Sequence, residues 1–195
     1  MSFFDAESSS SDPTSATSNG VSPGLEDDGA SSSARPKRSG KLLAALVFGG
    51  LTVGAAMLGG SASKKKGWYG TLRKSRANPP PWVFGPVWTT LYSAMAYSGY
   101  RTWRAPDSAA RTRGLRLWGL QLALNAAWSP LFFGAHRPKA SAAVAAALVP
   151  AVGAYALATR KTDKLASGLM LPYLGWSAFA TYLNAQILRK NAWRF

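Results

Sequence analysis

Five stretches of the chain contain no charged residue: 42–63, 77–100, 117–135, 140–159 and 165–188. Each is close to the ~20 residues that a helix rising ~1.5 Å per residue needs to cross ~30 Å of hydrocarbon. A soluble helix of that length shows a polar stripe at helical spacing, and none of these does. The apolar runs are continuous rather than alternating, which disfavours the strands of a membrane barrel. Helices satisfy every backbone group internally, as lipid requires. The pattern predicts an all-α fold, an integral membrane bundle of five transmembrane helices. Five crossings place the two ends on opposite sides.

Composition alone points elsewhere, and the positions of the charges correct it. A mean hydropathy of −0.04 and a pI near 10.6 resemble a soluble basic protein. Yet all 23 Lys and Arg fall at Arg35 or later, and six of the eight acids lie in the first 28 residues. Three segments follow. Residues 1–41 read as a disordered tail, acidic then basic, too poor in large apolar side chains to offset its ordering entropy. Residues 42–190 form the bundle and residues 191–195 a short C-terminal tail. The tail lacks the basic-then-apolar order of a secretory signal. The basic residues are divided among short flanks between spans, which suits lipid headgroups and argues against a nucleic-acid partner. About 12 cations on one face oppose about 11 on the other, so the positive-inside rule sets no orientation. With no cysteine there is no disulfide, thiolate chemistry or structural zinc site of the usual type.

Within the first span, Gly50-x-x-x-Gly54 is a small-residue face of the kind that permits close helix contact, inside the monomer or between two copies. The loop after it is basic and carries Trp68 and Tyr69. The Pro79-Pro80-Pro81 run cannot lie inside a regular helix but can introduce one, with Trp82 as an interfacial anchor. The tight turn His136-Arg137-Pro138-Lys139 makes spans three and four antiparallel neighbours.

Polar groups inside spans are costly and are weighed singly. Gln121, Asn125 and Ser129 recur every four residues, so they share one face of span three. They serve as interhelical hydrogen bonds or as a polar stripe against a ligand, the first being the commoner use. Asn184 and Gln186 in span five invite the same weighing. Of the eight tryptophans, Trp68, Trp82, Trp103 and Trp118 lie near span ends, where amphipathic rings anchor at the interface. Trp88, Trp128 and Trp176 lie deeper, as core filling or as the walls of a flat apolar cavity. His136 is the only histidine, an interfacial polar flank or, less commonly, an axial ligand to haem iron. No span holds a carboxylate, and there is no Ser/His/Asp set, metal cluster or phosphate loop. Proton-relay transport, hydrolysis and phosphoryl transfer have no support.

Three blocks carry a resemblance. They are Trp68-Tyr69-x-x-Leu72-x-Lys74 with Pro79-Pro80-x-Trp82-Val-Phe-Gly-Pro86-Val87-Trp88-Thr-Thr-Leu91-Tyr92-Ser-Ala-Met95, then Gln121-Leu-Ala-Leu-Asn125-Ala-Ala-Trp128-Ser-Pro130-Leu-Phe-Phe-Gly134, then Pro172-Tyr173-Leu-Gly-Trp176-Ser-Ala-Phe-Ala180-Thr-Tyr-Leu183-Asn184. In this order and spacing the chain resembles the translocator protein family, also called the tryptophan-rich sensory protein or peripheral benzodiazepine receptor family, over residues 42–190.

The resemblance implies a five-helix bundle, often a homodimer, that binds tetrapyrroles (protoporphyrin IX and haem), cholesterol and benzodiazepine-type drugs. It implies no required cofactor, porphyrin or haem being a ligand, and the lipid bilayer and sterol-like small molecules as further partners. By motif position the ligand-binding residues are Trp88, Tyr92, Asn125, Trp128, Trp176, Ala180 and Leu183, and the lid-loop residues are Trp68, Tyr69, Pro79, Pro80 and Trp82. The leading expectation is a membrane receptor that senses, sequesters or moves tetrapyrroles. The alternatives are a light-dependent porphyrin-degrading enzyme acting through Trp88 and Trp176, and a sterol-binding scaffold. Two departures from the family pattern matter. Lys74-Ser75 and Ala77 stand where Lys-Pro and then Trp are common, so the lid packs differently. Ala185 replaces the Tyr of the animal cholesterol motif, which favours the porphyrin pocket over tight sterol binding. The resemblance assigns a multi-pass membrane location, with the mitochondrial outer membrane and the endoplasmic reticulum or Golgi all compatible.

Overall fold

A computed structural model describes residues 38–63 and 66–194. The expected acidic-then-basic tail therefore lies outside the described residues up to position 37. Helix α1 spans Arg38–Ser63 and a short helix α2 spans Lys66–Gly70. Helices α3 (Pro81–Arg104) and α4 (Ala109–Ser129) follow, and α4 runs on into a π-helical turn, Pro130–Gly134. Helix α5 spans Pro138–Thr159, α6 spans Lys164–Leu169 and α7 spans Leu171–Lys190, with a last 3-10 turn at Ala192–Arg194. The five rods α1, α3, α4 with its π turn, α5, and α6 with α7 are the five spans, a helical membrane bundle.

Where the rods begin and end departs from the uncharged stretches, for local reasons. Span two starts at Pro81 rather than residue 77, because Pro at the first helical position lacks only an N–H that has no helical partner anyway. Span three starts eight residues before Leu117, at a Ser108 cap whose hydroxyl accepts from the Arg111 amide at 3.1 Å. That early start overturns the interfacial reading of Trp118. Its ring is 4% exposed and donates its Nε1–H to the Met95 carbonyl at 2.9 Å. Span five is interrupted at Met170 because Pro172 offers no N–H to the carbonyl of Gly168 and crowds it. Among the described residues, ordinary hydropathy passes only Gly40–Leu58 and Pro138–Thr159 as membrane-spanning segments. The other three rods are diluted by Trp, Tyr, Asn, Gln and Pro, and these are the rods that carry the candidate site.

The bundle has an apolar core, and its outer surface is apolar as well, unlike that of a soluble protein. Large apolar side chains such as Leu46, Leu51, Met57, Leu120 and Leu157 face outward, as the bilayer permits. Hydroxyls on outer faces partner their own helix: Thr89 donates to the Gly85 carbonyl at 2.9 Å and Thr90 to the Pro86 carbonyl at 3.0 Å. Span one buries Ala44, Phe48, Thr52 and Ala55 against spans two and three. Gly50 and Gly54 face the other way, and a Cβ at either meets nothing within 4 Å. They therefore do not pack inside the monomer. The close approach lies at Gly99, where a Cβ would stand 2.5 Å from the Trp118 ring and 2.8 Å from Phe48.

Of the two halves of span five, α6 rather than α7 packs more closely on span two, and a buried hydroxyl cluster fastens it there. The Tyr155 hydroxyl lies 2.7 Å from both Ser98 Oγ and Thr102 Oγ1, and Ser98 donates to the Ala166 carbonyl at 2.6 Å. Outside this cluster Arg101 Nε pairs with Asp163 at 2.9 Å. Asp163 also caps α6 through the Ala166 amide at 2.8 Å. Spans two and five are thus clasped at one end, and towards the other end aromatic side chains span the space between them.

Candidate ligand-binding site

The aromatic side chains collect in two groups. In the first, the Trp88 ring stacks on Tyr92, one turn further along α3, at 5.2 Å between centroids and 29° between planes. Its edge meets Trp176 of α7 at 6.4 Å and 88°. Tyr173 approaches Trp88 at 6.4 Å, and Phe84 approaches Trp176 at 6.0 Å. These edge-to-face pairs set the negative face of one ring against the positive edge of the next. Period 3.6 puts Phe84, Trp88 and Tyr92 on one side of α3 and Tyr173, Trp176 and Phe179 on one side of α7.

Asn125 holds this group from span three. Its Oδ1 accepts from the Tyr92 hydroxyl at 2.8 Å and its Nδ2 donates to the Tyr173 hydroxyl at 2.8 Å. One amide therefore ties spans two, three and five together. Gln121, one turn away on the same face, is fully buried, and neither end of its amide has a hydrogen-bond partner. The shared face expected for Gln121, Asn125 and Ser129 is buried throughout, yet only Asn125 bridges spans two and five.

Outside Trp176 lies a groove of about 470 Å³ between spans two and five. Pro86, Val87, Thr90 and Leu91 form one wall, and Pro172, Gly175, Trp176 and Phe179 the other. It opens to the side of the bundle, towards the space that lipid tails occupy.

The second group sits under the loop after span one. Trp128 stacks on Phe132 at 5.1 Å and 10°, and its Nε1 donates to Asn184 Oδ1 at 3.3 Å. Asn184 in turn donates to the Ala180 carbonyl at 2.8 Å. The π turn rotates Phe132 and Phe133 towards the loop. It forms because Pro130 contributes no N–H, and the Ala135 amide reaches back to the Pro130 carbonyl at 2.8 Å. Trp68 meets Phe132 edge-on at 5.5 Å, and Tyr69 meets Phe132 and Phe133 at 5.8 and 5.5 Å.

His136 stacks on Trp68 at 4.6 Å from a left-handed backbone with φ 53°. Histidine tolerates that region better than most residues. Among the described residues no cluster of three His, Cys, Asp or Glu could hold a metal. The Tyr69 hydroxyl donates to Asn78 Oδ1 at 3.2 Å, and the Lys74 ammonium lies 4.5 Å above its ring. Burial raises the Tyr69 pKa above the usual phenol value, and the Asn78 bond partly opposes that.

The residues implied as one pocket thus fall into distinct places. Trp88, Tyr92, Asn125 and Trp176 come together between spans two, three and five. Trp128 joins Trp68 and Tyr69 under the loop, with Leu183 buried and Ala180 half-buried on α7 below. Pro79 is half-buried, Pro80 exposed, and Trp82 is 75% exposed at the start of α3, pointing away from both groups. Sequence reasoning left out Tyr173, Phe132, Phe84 and Phe179. Tyr173 was detectable, since a phenol in mid-span needs a partner. The phenylalanines offered no signal beyond apolarity.

Residues 43–189 match the model of the TspO/MBR family. The translocator protein of Homo sapiens is 45% identical over 131 residues, covering 65% of this chain and 77% of that protein. The tryptophan-rich sensory protein of Cereibacter sphaeroides is 36% identical over 138 residues, covering 71% of this chain and 85% of its own length. The translocator protein homolog of Schizosaccharomyces pombe is 35% identical over 128 residues, 64% of this chain and 78% of that one.

Proposed function

The chain belongs to the TspO/MBR family of membrane proteins, and on that premise we propose that it is a membrane receptor for flat, largely apolar ligands of the tetrapyrrole class. Protoporphyrin IX and haem are the intended examples, seated against Trp88 and Trp176. The observation that carries this reading is Trp176, which lines the lateral groove and is braced from behind by the edge contact with Trp88 at 6.4 Å. A groove of about 470 Å³ falls within the ~300–1,000 Å³ of small-molecule sites. Its walls are aromatic and aliphatic, so a planar macrocycle would bury area against them without stranding polar groups.

Charge supports the same class of ligand. The end of the bundle bearing the loop carries Arg73, Lys74, Arg76, Arg137, Arg189, Lys190 and Arg194, and no carboxylate side chain among its described residues. A macrocycle with carboxylate substituents would direct them to that end. A sterol has no group that uses these cations.

The test is a titration of protoporphyrin IX into the full chain in lipid nanodiscs, following tryptophan fluorescence. Saturable quenching with one-site stoichiometry is expected, and excess cholesterol is expected to relieve it little. Quenching that rises linearly without saturation would overturn the reading. The contact between two oxidisable indoles favours one further reading, light-dependent oxidation of the bound porphyrin by dioxygen. It predicts faster bleaching with protein than without, and equal bleaching rules it out.

A further inference from the structure

We infer that residues 191–194, immediately after span five, are the latch of the loop that covers the second aromatic group, with Asn191 as its positioning residue. Asn191 is completely buried although it follows the last helix. Its side chain reads both backbone groups of a residue 118 positions away: Oδ1 accepts from the Arg73 amide at 3.0 Å, and Nδ2 donates to the Arg73 carbonyl at 2.9 Å. An asparagine amide is the shape that matches one residue's N–H and C=O together, as a neighbouring strand would. The same Nδ2 donates to the Ile187 carbonyl at 2.8 Å, and the Asn191 amide also bonds that carbonyl at 3.1 Å. The end of α7 is thereby fixed while it holds the loop.

Two neighbouring contacts act in the same sense. Arg194 Nη1 donates to the Thr71 carbonyl at 3.1 Å and to its hydroxyl at 2.9 Å. Between these fastenings Leu72 is 4% exposed and packs with Phe132 and Ile187, so the loop is plugged as well as tied. Trp68 and Tyr69 are carried on the same stretch of chain and lie over Phe132 and Phe133. When the Arg73 backbone is released, the aromatic cover has lost its anchor on α7. The latch then sets how quickly the loop opens. The groove of the proposed function opens to the side of the bundle and is lined by no residue of this loop, so the latch's hold on the loop stands independently of that reading.

The experiment uses the full chain in nanodiscs, with Asn191→Ala and Arg194→Ala. Hydrogen exchange followed by mass spectrometry reads peptides covering 71–76 and, as a folding control, peptides from α4 and α5. Both variants are expected to speed exchange at 71–76 while the control peptides keep the wild-type rate. For Asn191→Ala, which strands both Arg73 groups, the increase is about tenfold or more. Arg194 is exposed, so its variant keeps the fold and gives a smaller increase. Loop exchange unchanged in both variants would overturn the latch.

Discussion

Asn125 and Gln121 stand one turn apart on the same buried face of span three, and their predicted mutational costs are opposite. Asn125→Leu removes two side-chain hydrogen bonds of 2.8 Å, to Tyr92 and Tyr173. Interhelical hydrogen bonds in a membrane contribute about 0.6 kcal/mol on average and up to about 1.7. Losing both therefore costs about 1–3 kcal/mol, and Tyr92, the ring on which Trp88 stacks, loses its tether. Gln121→Leu removes an amide with no partner, replacing it by an apolar group of similar volume. That change is neutral or stabilising by about 1 kcal/mol, because a buried unsatisfied amide contributes only its desolvation cost. Unfolding in mixed lipid–detergent micelles titrated with dodecyl sulfate, read by helicity, measures both. Double-mutant cycles of Asn125→Leu with Tyr92→Phe and with Tyr173→Phe should each return a coupling of about 0.6–1.7 kcal/mol. If Gln121→Leu costs as much as Asn125→Leu, or if either cycle is additive, the assigned roles are wrong.

Other outcomes follow from packing and charge. Gly99→Ala forces the Trp118 ring and Phe48 apart and should cost about 1–3 kcal/mol, whereas Gly54→Ala, facing outward, should leave the same unfolding midpoint within error. Asp163→Asn keeps an acceptor for the α6 cap and loses only a partly exposed ion pair, about 1 kcal/mol or less; Asp163→Ala loses both, about 1–2 kcal/mol more. The raised pKa of Tyr69 gives the folded loop more protons than the unfolded chain in the alkaline range. The stability it contributes is complete below the usual phenol pKa and is lost as pH rises through the folded value. Tyr69→Phe should flatten that alkaline loss when unfolding is followed against pH.

Most of the fold was legible in the sequence because lipid penalises charge so heavily that uncharged runs of about 20 residues mark the spans. Their ends were less legible, since caps such as Ser108 and prolines such as Pro81 and Pro172 act locally within charged or mixed stretches. The direction in which Gly50 and Gly54 face could not be read from their spacing. A glycine pair gives the helix a smooth stripe, and neighbouring helices decide whether it is used. The tryptophans were legible as deep but not as two groups. That division depends on the rotation of span three, where Asn125 turns one stretch towards Tyr92 and Tyr173 and the π turn at Pro130 swings Phe132 towards Trp68. Asn191 was hidden for another reason. A polar residue beyond the last span reads as tail until the 118-residue separation from Arg73 is closed by the fold.

The central claim is that Trp88 and Trp176 together seat the ligand between spans two and five. The most direct measurement compares protoporphyrin IX affinity in wild type, the Trp88→Phe/Trp176→Phe double variant and a Trp82→Phe control whose ring is 75% exposed. Absorbance of the porphyrin band reads binding without relying on the replaced tryptophans. The expected result is a loss of about tenfold or more in the double variant, from roughly 1–3 kcal/mol of stacking on Trp176, the ring that lines the groove and that Trp88 braces, and wild-type affinity in the control. Equal affinity in all three proteins would contradict the claim.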